Sequence, residues 1–315
     1  MPIFSVIIPL YNKQNDIANT LLSVTQQSFV DFEIIIINDG STDDSAAEVA
    51  KVDDPRIKYY KTVNQGISQA RNEGINKATG TLIAFLDADD YWYSNHLERL
   101  YLLYTAFPSS GIFATNYTFY YSPNQIITPH YEGIPAHPWQ GIVADFFLSS
   151  LDYRLAWTSA LAIPKKVLDT VGTFDASISF GAAGEDTDLW TRIALQYPVA
   201  FDTEVTARYQ LNGSNRVSNV NTSKRSFDTL DKFLVQEQEN LSLKKFLDRY
   251  RAEFALKHKL DYNIERFNFY KNGISKNNIS RKTWFLLRLP TPLLRALYNF
   301  KQWLTDKGLT VNIYN

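Results

Sequence analysis

Residues 81–90, TLIAFLDADD, constrain the fold more than any other stretch. Leu82 to Leu86 form an apolar run that ends directly in Asp87, Asp89 and Asp90. Such a run predicts a central strand of a parallel sheet, buried on both faces. In open α/β sheets, ligands gather beyond the carboxyl ends of the strands. Three carboxylates within four residues repel one another unless a positive group lies among them. A divalent cation with hard oxygen ligands supplies one. The same residues also suit an acidic turn capping the next helix, with Asp90 or Ser94 near its N-terminus. The segment by itself leaves both readings open.

The chain before it repeats the pattern. Residues 3–10 (IFSVIIPL) predict a buried strand, followed by the loop Tyr11, Asn12, Lys13 and a helix over 15–27. Residues 33–37 (EIIII) predict a second strand, which ends in Asn38, Asp39 and Gly40, with Ser41, Thr42 or Asp43 placed to cap a helix. A weaker strand at 57–60 and a helix at 67–78, carrying Arg71 and Asn72, lead to the strand at 81–86. Strand and helix thus alternate three times in about 90 residues, the pattern of a doubly wound, mostly parallel α/β sheet. Asp39 and the Asp87/Asp89 pair then share one sheet edge, since each follows a strand end. No GxGxxG and no GxxxxGK[ST] occurs here, which argues against dinucleotide oxidoreductases and P-loop enzymes.

After Asp90 the reading gives a helix at 95–107, a strand at 111–121 and a long loop over 122–141. A short helix over 142–151, a strand at 156–163 and a helix at 165–171 follow. Glu185, Asp186 and Asp188 open a helix that runs to about Gln196, where acidic residues are also favoured by the helix dipole alone. Strands near 198–201 and 204–211 close this part. From residue 222 the pattern turns helical: 226–272 has no proline or glycine, and 279–305 interleaves Trp, Phe and Leu with basic residues.

Charge follows the same division. Residues 1–220 carry 14 Lys and Arg against 24 Asp and Glu, whereas 221–315 carry 18 against 9. The expected organisation is an α/β domain over 1–220. A basic helical extension over 221–315 follows. The chain has no cysteine, hence no disulfide framework, which fits a reducing compartment. Its first residues lack the basic start and long apolar core of a signal peptide. No stretch approaches the ~18 apolar residues of a spanning helix.

Five segments together resemble glycosyltransferase family 2, the inverting, nucleotide-sugar-dependent enzymes of the GT-A fold. They are SVIIPLYNK (5–13), SVTQQSFVDFEIIIINDGSTDDS (23–45), NQGISQARNEGI (64–75), LIAFLDADDYW (82–92) and VGTFDASISFGAAGEDTDLWTRIA (171–194). They stand in the family's order and spacing and cover roughly residues 3–215. The resemblance implies a Rossmann-like, mostly parallel sheet flanked by helices, a catalytic domain over 1–220 with a donor half at about 1–110 and an acceptor half at about 111–220, and the helical extension beyond it. It also implies that Pro9, Tyr11, Asn12 and Asp39 hold the nucleobase, with Arg71 ordering the pocket. Asp87 then contacts ribose and metal. A divalent ion, Mn²⁺ or Mg²⁺, falls to Asp89, with Asp87 and Asp90 as further ligands. Asp186, beside Glu185, becomes the catalytic base. The chemistry agrees: a nucleoside diphosphate leaves with concentrated negative charge that a cation stabilises, and one carboxylate on the opposite face suffices for a single inverting displacement.

The chain departs from the family where a histidine often follows the last strand. Asn212 stands there, so Arg216 is expected to take over the diphosphate charge, or metal dependence is altered. The four histidines show no metal-ligand spacing. Trp92, Trp139 and Trp157 are candidates to stack on sugar rings, Trp92 and Trp157 on the acceptor, and core packing is the alternative for each. Trp190, on the apolar face of its helix, reads as core. Basic residues among Trp, Phe and Leu over 280–307 suit an anionic membrane surface, with packing on the catalytic domain or another subunit as the alternative. Nothing marks a nucleic-acid partner.

The function the resemblance implies is a metal-dependent inverting transfer of sugar from a nucleotide donor, UDP-linked in the first instance, to a hydroxyl of a glycan or lipid-linked acceptor. The setting it implies is bacterial polysaccharide biosynthesis, in the cytoplasm or at the inner face of the plasma membrane. Two rivals differ in class. One is a non-catalytic nucleotide-sugar-binding scaffold. The other is a nucleotidyltransferase, which needs a basic glycine-rich loop where this chain reads LYNKQND.

Overall fold

The computed structural model describes residues 1–178, 184–211 and 228–306, and the chain divides into two compact units, residues 1–219 and 220–315. In the first unit, β1 (Phe4–Leu10), β2 (Phe32–Asp39), β3 (Ile57–Thr62) and β4 (Leu82–Phe85) alternate with α1 (Ile17–Thr25), α2 (Ser45–Ala50) and α3 (Ile67–Lys77). There follow β5 (Tyr91–Trp92), α4 (His96–Ala106), β6 (Ile112–Ser122), β7 (Gln125–Ile127) and β8 (Gln140–Ile142). Then come α5 (Phe146–Ser149), β9 (Leu161–Pro164), α6 (Lys165–Val171), α7 (Glu185–Ala194) and β10 (Val199–Gln210).

One sheet joins the strands in the order β3-β2-β1-β4-β9-β6-β10-β5, with β7 beside β6 and β8 beside β10. β3, β2, β1 and β4 run parallel, and β9 is antiparallel to both its neighbours. The chain winds one way from β1 to β3 and then crosses to place β4 on the other side of β1. The resulting crevice beyond the carboxyl ends of β1 and β4 is where such sheets bind ligands. β1 and β2 are buried along their whole length, which is why they read as continuous apolar runs. β3 is the edge, and its exposed Lys58 and Lys61 protect it against pairing with another chain. α3 lies so close to β1 that a Cβ at Gly74 would stand 2.4 Å from Ile7 Cγ2. Gly40, at φ +74°, turns the chain directly after Asp39.

Three readings of the first unit change. The long loop 122–141 carries two short strands, β7 and the start of β8. The strand expected over 156–163 is a 3₁₀ turn at Thr158–Ala160 followed by β9. The two strands expected at 198–211 are one, β10, whose pairing with β6 shifts register between Asp202 and Ala207.

The second unit is helical: a 3₁₀ turn at Asp228–Phe233, then α8 (Gln236–Glu239), α9 (Leu241–Leu260), α10 (Ile264–Asn272), α11 (Arg281–Arg288) and α12 (Thr291–Asp306). The helical stretch expected at 226–272 is broken where Asn240 and Asn263 act as N-caps, accepting from the backbone N–H of Leu243 and Arg266. Asparagine favours such positions over helix interiors because its side chain competes for backbone groups.

Candidate functional site

The loops after β1, β2 and β4 meet at one edge, as the parallel order requires. The β1–α1 and β2–α2 loops are stitched by side chains. Asn12, at φ 52°, donates its backbone N–H to Ser41 Oγ and accepts from Thr42 N–H. Lys13 N–H donates to Ser45 Oγ at 2.8 Å. Pro9 is buried at the end of β1, and Tyr11 is exposed beside it. Asp39 is buried, and its two oxygens accept from the backbone N–H groups of Gln65 and Gly66, each at 2.8 Å. It therefore fixes the entry to α3, the helix that carries Arg71.

The acidic turn after β4 is a built structure. Asp90 N–H closes it on Asp87 C=O, and Thr20 Oγ1 of α1 donates to the carbonyls of Ala88 and Asp90. Ser159 Oγ accepts from Asp87 N–H and donates to Asp90 Oδ2 at 2.6 Å. Asp90 also accepts from Gln210 N–H, and burial followed by the charges of Asp89 and Asp87 raises its pKa well above the usual carboxylate range. Asp90 thus turns inward and does not join Asp87 and Asp89 as a third outward carboxylate. Among the described residues no three acidic, histidine or cysteine side chains are grouped to hold a metal ion.

Each outward carboxylate meets a cation. Lys13 Nζ lies 2.6 Å from Asp89 Oδ2. Arg71 Nη2 donates to Asp87 Oδ1 at 2.9 Å, and its Nη1 to Glu185 Oε1 at 3.2 Å. The Arg71 guanidinium is buried and stands 5.1 Å from the Phe174 ring centre. Burial opposes its charge, but Asp87 and Glu185 outweigh that and raise its pKa. Arg71, expected to order the nucleobase pocket, ties the Asp87–Asp89 turn to Glu185, the first residue of α7.

Glu185 and Asp186 follow Gly184, which is left-handed at φ 95°. Burial, then the neighbouring Asp186 charge, raises the Glu185 pKa above the ordinary value. Asp186 Oδ1 accepts from Thr187 N–H, and Oδ2 pairs with Arg154 Nη1 at 2.5 Å. Arg154 is 48% exposed, whereas Asp186 is nearly covered. Tyr117 OH donates to Arg154 C=O and so anchors this segment to β6.

Lys13, Arg154, Ser159 and Thr20 were not singled out by the sequence. Lys13 had a signal, being next to Tyr11 and Asn12 in the first loop. Arg154, Ser159 and Thr20 are brought in by tertiary packing alone. Asn212 and Arg216, expected at the diphosphate, lie outside the described residues.

Two of the three stacking candidates, Trp92 and Trp157, are corrected, while Trp139 is half-buried and outside the core cluster. Trp92 is fully buried, donates Nε1–H to Ser159 C=O and packs 4.2 Å from the His96 ring centre. Trp157 is buried between Tyr117 and Tyr209, at 4.6 and 4.8 Å. Both rings belong to the core cluster that also holds β1 and β4. Trp190 packs on Phe85 and Phe174, the core position expected of it.

Residues 5–154 match the model of "Glycosyl transferase family 2". The first unit is a family 2 glycosyltransferase domain. A protein of Rickettsia bellii named "Uncharacterized glycosyltransferase" is 32% identical over 215 residues, covering 67% of this chain and 29% of that protein. The Escherichia coli "Uncharacterized glycosyltransferase YibD" is 48% identical over 99 residues, covering 30% of this chain and 28% of its own length. The chain therefore spans about a third or less of these two curated relatives. The S. aureus TarS 1-349 crystal structure in complex with UDP-GlcNAc superposes with a TM-score of 0.67 at 18% identity, covering 98% of this chain and 93% of that one. That likeness establishes the GT-A fold of the glycosyltransferase domain. No described helix of the chain is long and apolar enough to cross a membrane.

Proposed function

We propose that the chain is an inverting glycosyltransferase that moves a sugar from a nucleotide-sugar donor, a UDP-sugar by analogy with the TarS complex, to a hydroxyl of a glycan or lipid-linked acceptor. One observation carries the proposal. Two separate acidic groups, Asp87/Asp89 at the end of β4 and Glu185/Asp186 at the start of α7, are held at one sheet edge and joined through Arg71. An inverting transfer requires that separation: one group faces the leaving diphosphate and the other the incoming hydroxyl.

The donor lies along the loops of Tyr11, Asn12 and Asp39, and its diphosphate reaches the Asp87–Asp89 turn. Asp87 and Asp89 offer hard oxygen donors on one outward turn, a set that suits Mg²⁺ or Mn²⁺, which take further ligands from phosphates and water. When bound there, the ion stabilises the charge that develops on the leaving diphosphate. Lys13, beside Asp89, adds positive charge at the same place. Asp186 accepts the proton of the acceptor hydroxyl, and Arg154 orients its carboxylate from the solvent side. Glu185 completes the Arg71 bridge. A setting in polysaccharide biosynthesis follows from this reading of donor and acceptor.

The experiment is to incubate the full chain with a panel of nucleotide sugars and mixed glycan acceptors and to follow nucleoside diphosphate release. Asp186→Asn is expected to lower release by about 10²–10⁴-fold while donor binding stays within twofold. Unchanged turnover in that variant removes Asp186 as the base. Release of pyrophosphate instead would make the chain a nucleotidyltransferase, and binding without any release would make it a scaffold.

A further inference from the structure

The second unit carries a surface that the transfer reaction does not use. In α12, Leu293, Leu297, Phe300 and Trp303 recur at steps of four, three and three residues, so they share one helical face, and all four are exposed, by 44–57%. Phe300 and Trp303 stack with ring centres 5.8 Å apart. Phe285 of α11 adds a fifth large apolar side chain that is 58% exposed. The unit's own core takes a different face: Leu294 of α12 and Leu286 and Leu287 of α11 are buried, and Lys259 of α9 donates to Leu287 C=O at 2.5 Å. Exposed apolar residues scattered singly are ordinary, but five within 19 residues are not.

The charges around this face have one sign. Residues 281–306 contain Arg281, Lys282, Arg288, Arg295 and Lys301 against the single acid Asp306. The guanidinium groups of Arg288 and Arg295 lie over the Trp284 and Tyr262 rings, at 5.5 and 5.4 Å from the ring centres. Lys282 of α11 and Lys301 of α12 approach closely enough that burial and then the Lys282 charge depress the Lys301 pKa.

We propose that α11 and α12 dock on an anionic lipid bilayer, with Phe285, Leu293, Leu297, Phe300 and Trp303 in the acyl boundary and the surrounding Arg and Lys among the headgroups. The occupant is fixed by the combination. A second protein would satisfy the apolar face but would need a matching acidic rim set around it, whereas an anionic bilayer offers both an apolar interior and a continuous layer of negative headgroups. Nucleic acid would meet the charge but not five aliphatic and aromatic side chains. An amphipathic helix with Trp, Phe and Leu on one face and basic residues beside it is the form that lies in the interface plane of anionic membranes. The inference stands on the second unit alone and does not depend on the proposed transfer.

The experiment is co-sedimentation of the full chain with phosphatidylcholine vesicles, with and without 30% phosphatidylglycerol, at about 0.1 and 0.5 M salt. Binding is expected to the anionic vesicles, reduced at the higher salt. Phe300→Ser with Trp303→Ser should weaken it about 100-fold, with the thermal midpoint unchanged because both side chains are exposed. Arg281→Glu with Lys282→Glu should weaken it about tenfold and remove the preference for the anionic lipid. Wild-type chain that ignores both kinds of vesicle overturns the proposal. So does a Phe300/Trp303 variant that binds vesicles like wild type but changes from dimer to monomer in light scattering, since the face is then a subunit interface.

Discussion

Arg71 in the first unit and Arg251 in the second are both buried arginines that pair with more than one acid, yet their surroundings differ. Arg251 donates to Glu237 at 2.7 Å and to Asp248 at 3.1 Å, and lies 3.4 Å from Asp231. Asp248 is fully buried and its other oxygen accepts from Ser275 N–H and Asn278 Nδ2, while Lys244 adds a second cation. That network is closed around its two hydrogen-bonded acids: Glu237 and Asp248 sit within helices and are covered, and only Asp231, at its rim, reaches solvent. Arg71 is as deeply buried, but its acids stand at a turn and a helix start, with the Asp87 side chain 31% exposed. Its Nε has no hydrogen-bond partner among the described residues. A closed network serves packing. An open one, at the carboxyl edge of a parallel sheet, is placed to receive a ligand.

The comparison is sharpest in two matched substitutions. Arg71→Met should lower transfer by about 10²–10³-fold, the scale of removing one preorganised electrostatic group, with a stability loss near 1 kcal/mol because Asp87 reaches water. Steady-state kinetics and urea unfolding check both halves. Arg251→Met should do the opposite. It leaves Glu237 and Asp248 buried with less compensation, and the second unit should lose about 3 kcal/mol, while nucleotide binding by the first unit persists. Equal effects of the two substitutions on activity would remove the distinction.

Two titrations extend it to the interior and the edge of the first unit. His96 is buried against Trp92, and burial holds its pKa down to about 3. The unfolded chain binds this proton near pH 6.5, so the folded state loses stability as pH falls from 6.5 toward 3. Between pH 6.5 and 4 this group alone should remove about 3 kcal/mol, and His96→Gln should flatten that part of the stability profile in urea titrations. Glu185 shifts the other way. Its raised folded pKa means that its stability contribution is full below the ordinary glutamate range and is lost as pH rises through the folded value. Glu185→Gln should therefore leave the thermal midpoint at pH 7 equal to or slightly above wild type while lowering activity. A large drop in the midpoint would show that the carboxylate serves the fold.

The strands that build the edge were legible because parallel strands buried on both faces read as apolar runs. β1, β2 and β4 each end at the residues that define the site, so Asp39, Asp87 and Asp89 could be placed on one edge from the sequence. What escaped is set at finer grain than periodicity. Asp90 turns inward because Ser159 and Gln210, distant in sequence, offer it hydrogen bonds. Trp92 and Trp157 are core because β6 and β10 deliver Tyr117 and Tyr209 against them or close the space around them. Lys13 and Arg154 meet their acids across 76 and 32 residues. No local pattern encodes such a meeting. In the second unit the helical propensity was plain, but the breaks at Asn240 and Asn263 depend on single caps.

The central claim is that the edge formed by β1, β2 and β4 binds a nucleotide-sugar donor with help from a divalent ion. Calorimetric titration of the full chain with UDP, GDP, CDP and dTDP, each with and without Mn²⁺, tests it most directly. The account predicts saturable binding of one nucleotide, UDP first, strengthened by Mn²⁺ and weakened at least tenfold in Asp89→Asn. Folded protein that binds none of the four, with or without the ion, would contradict it.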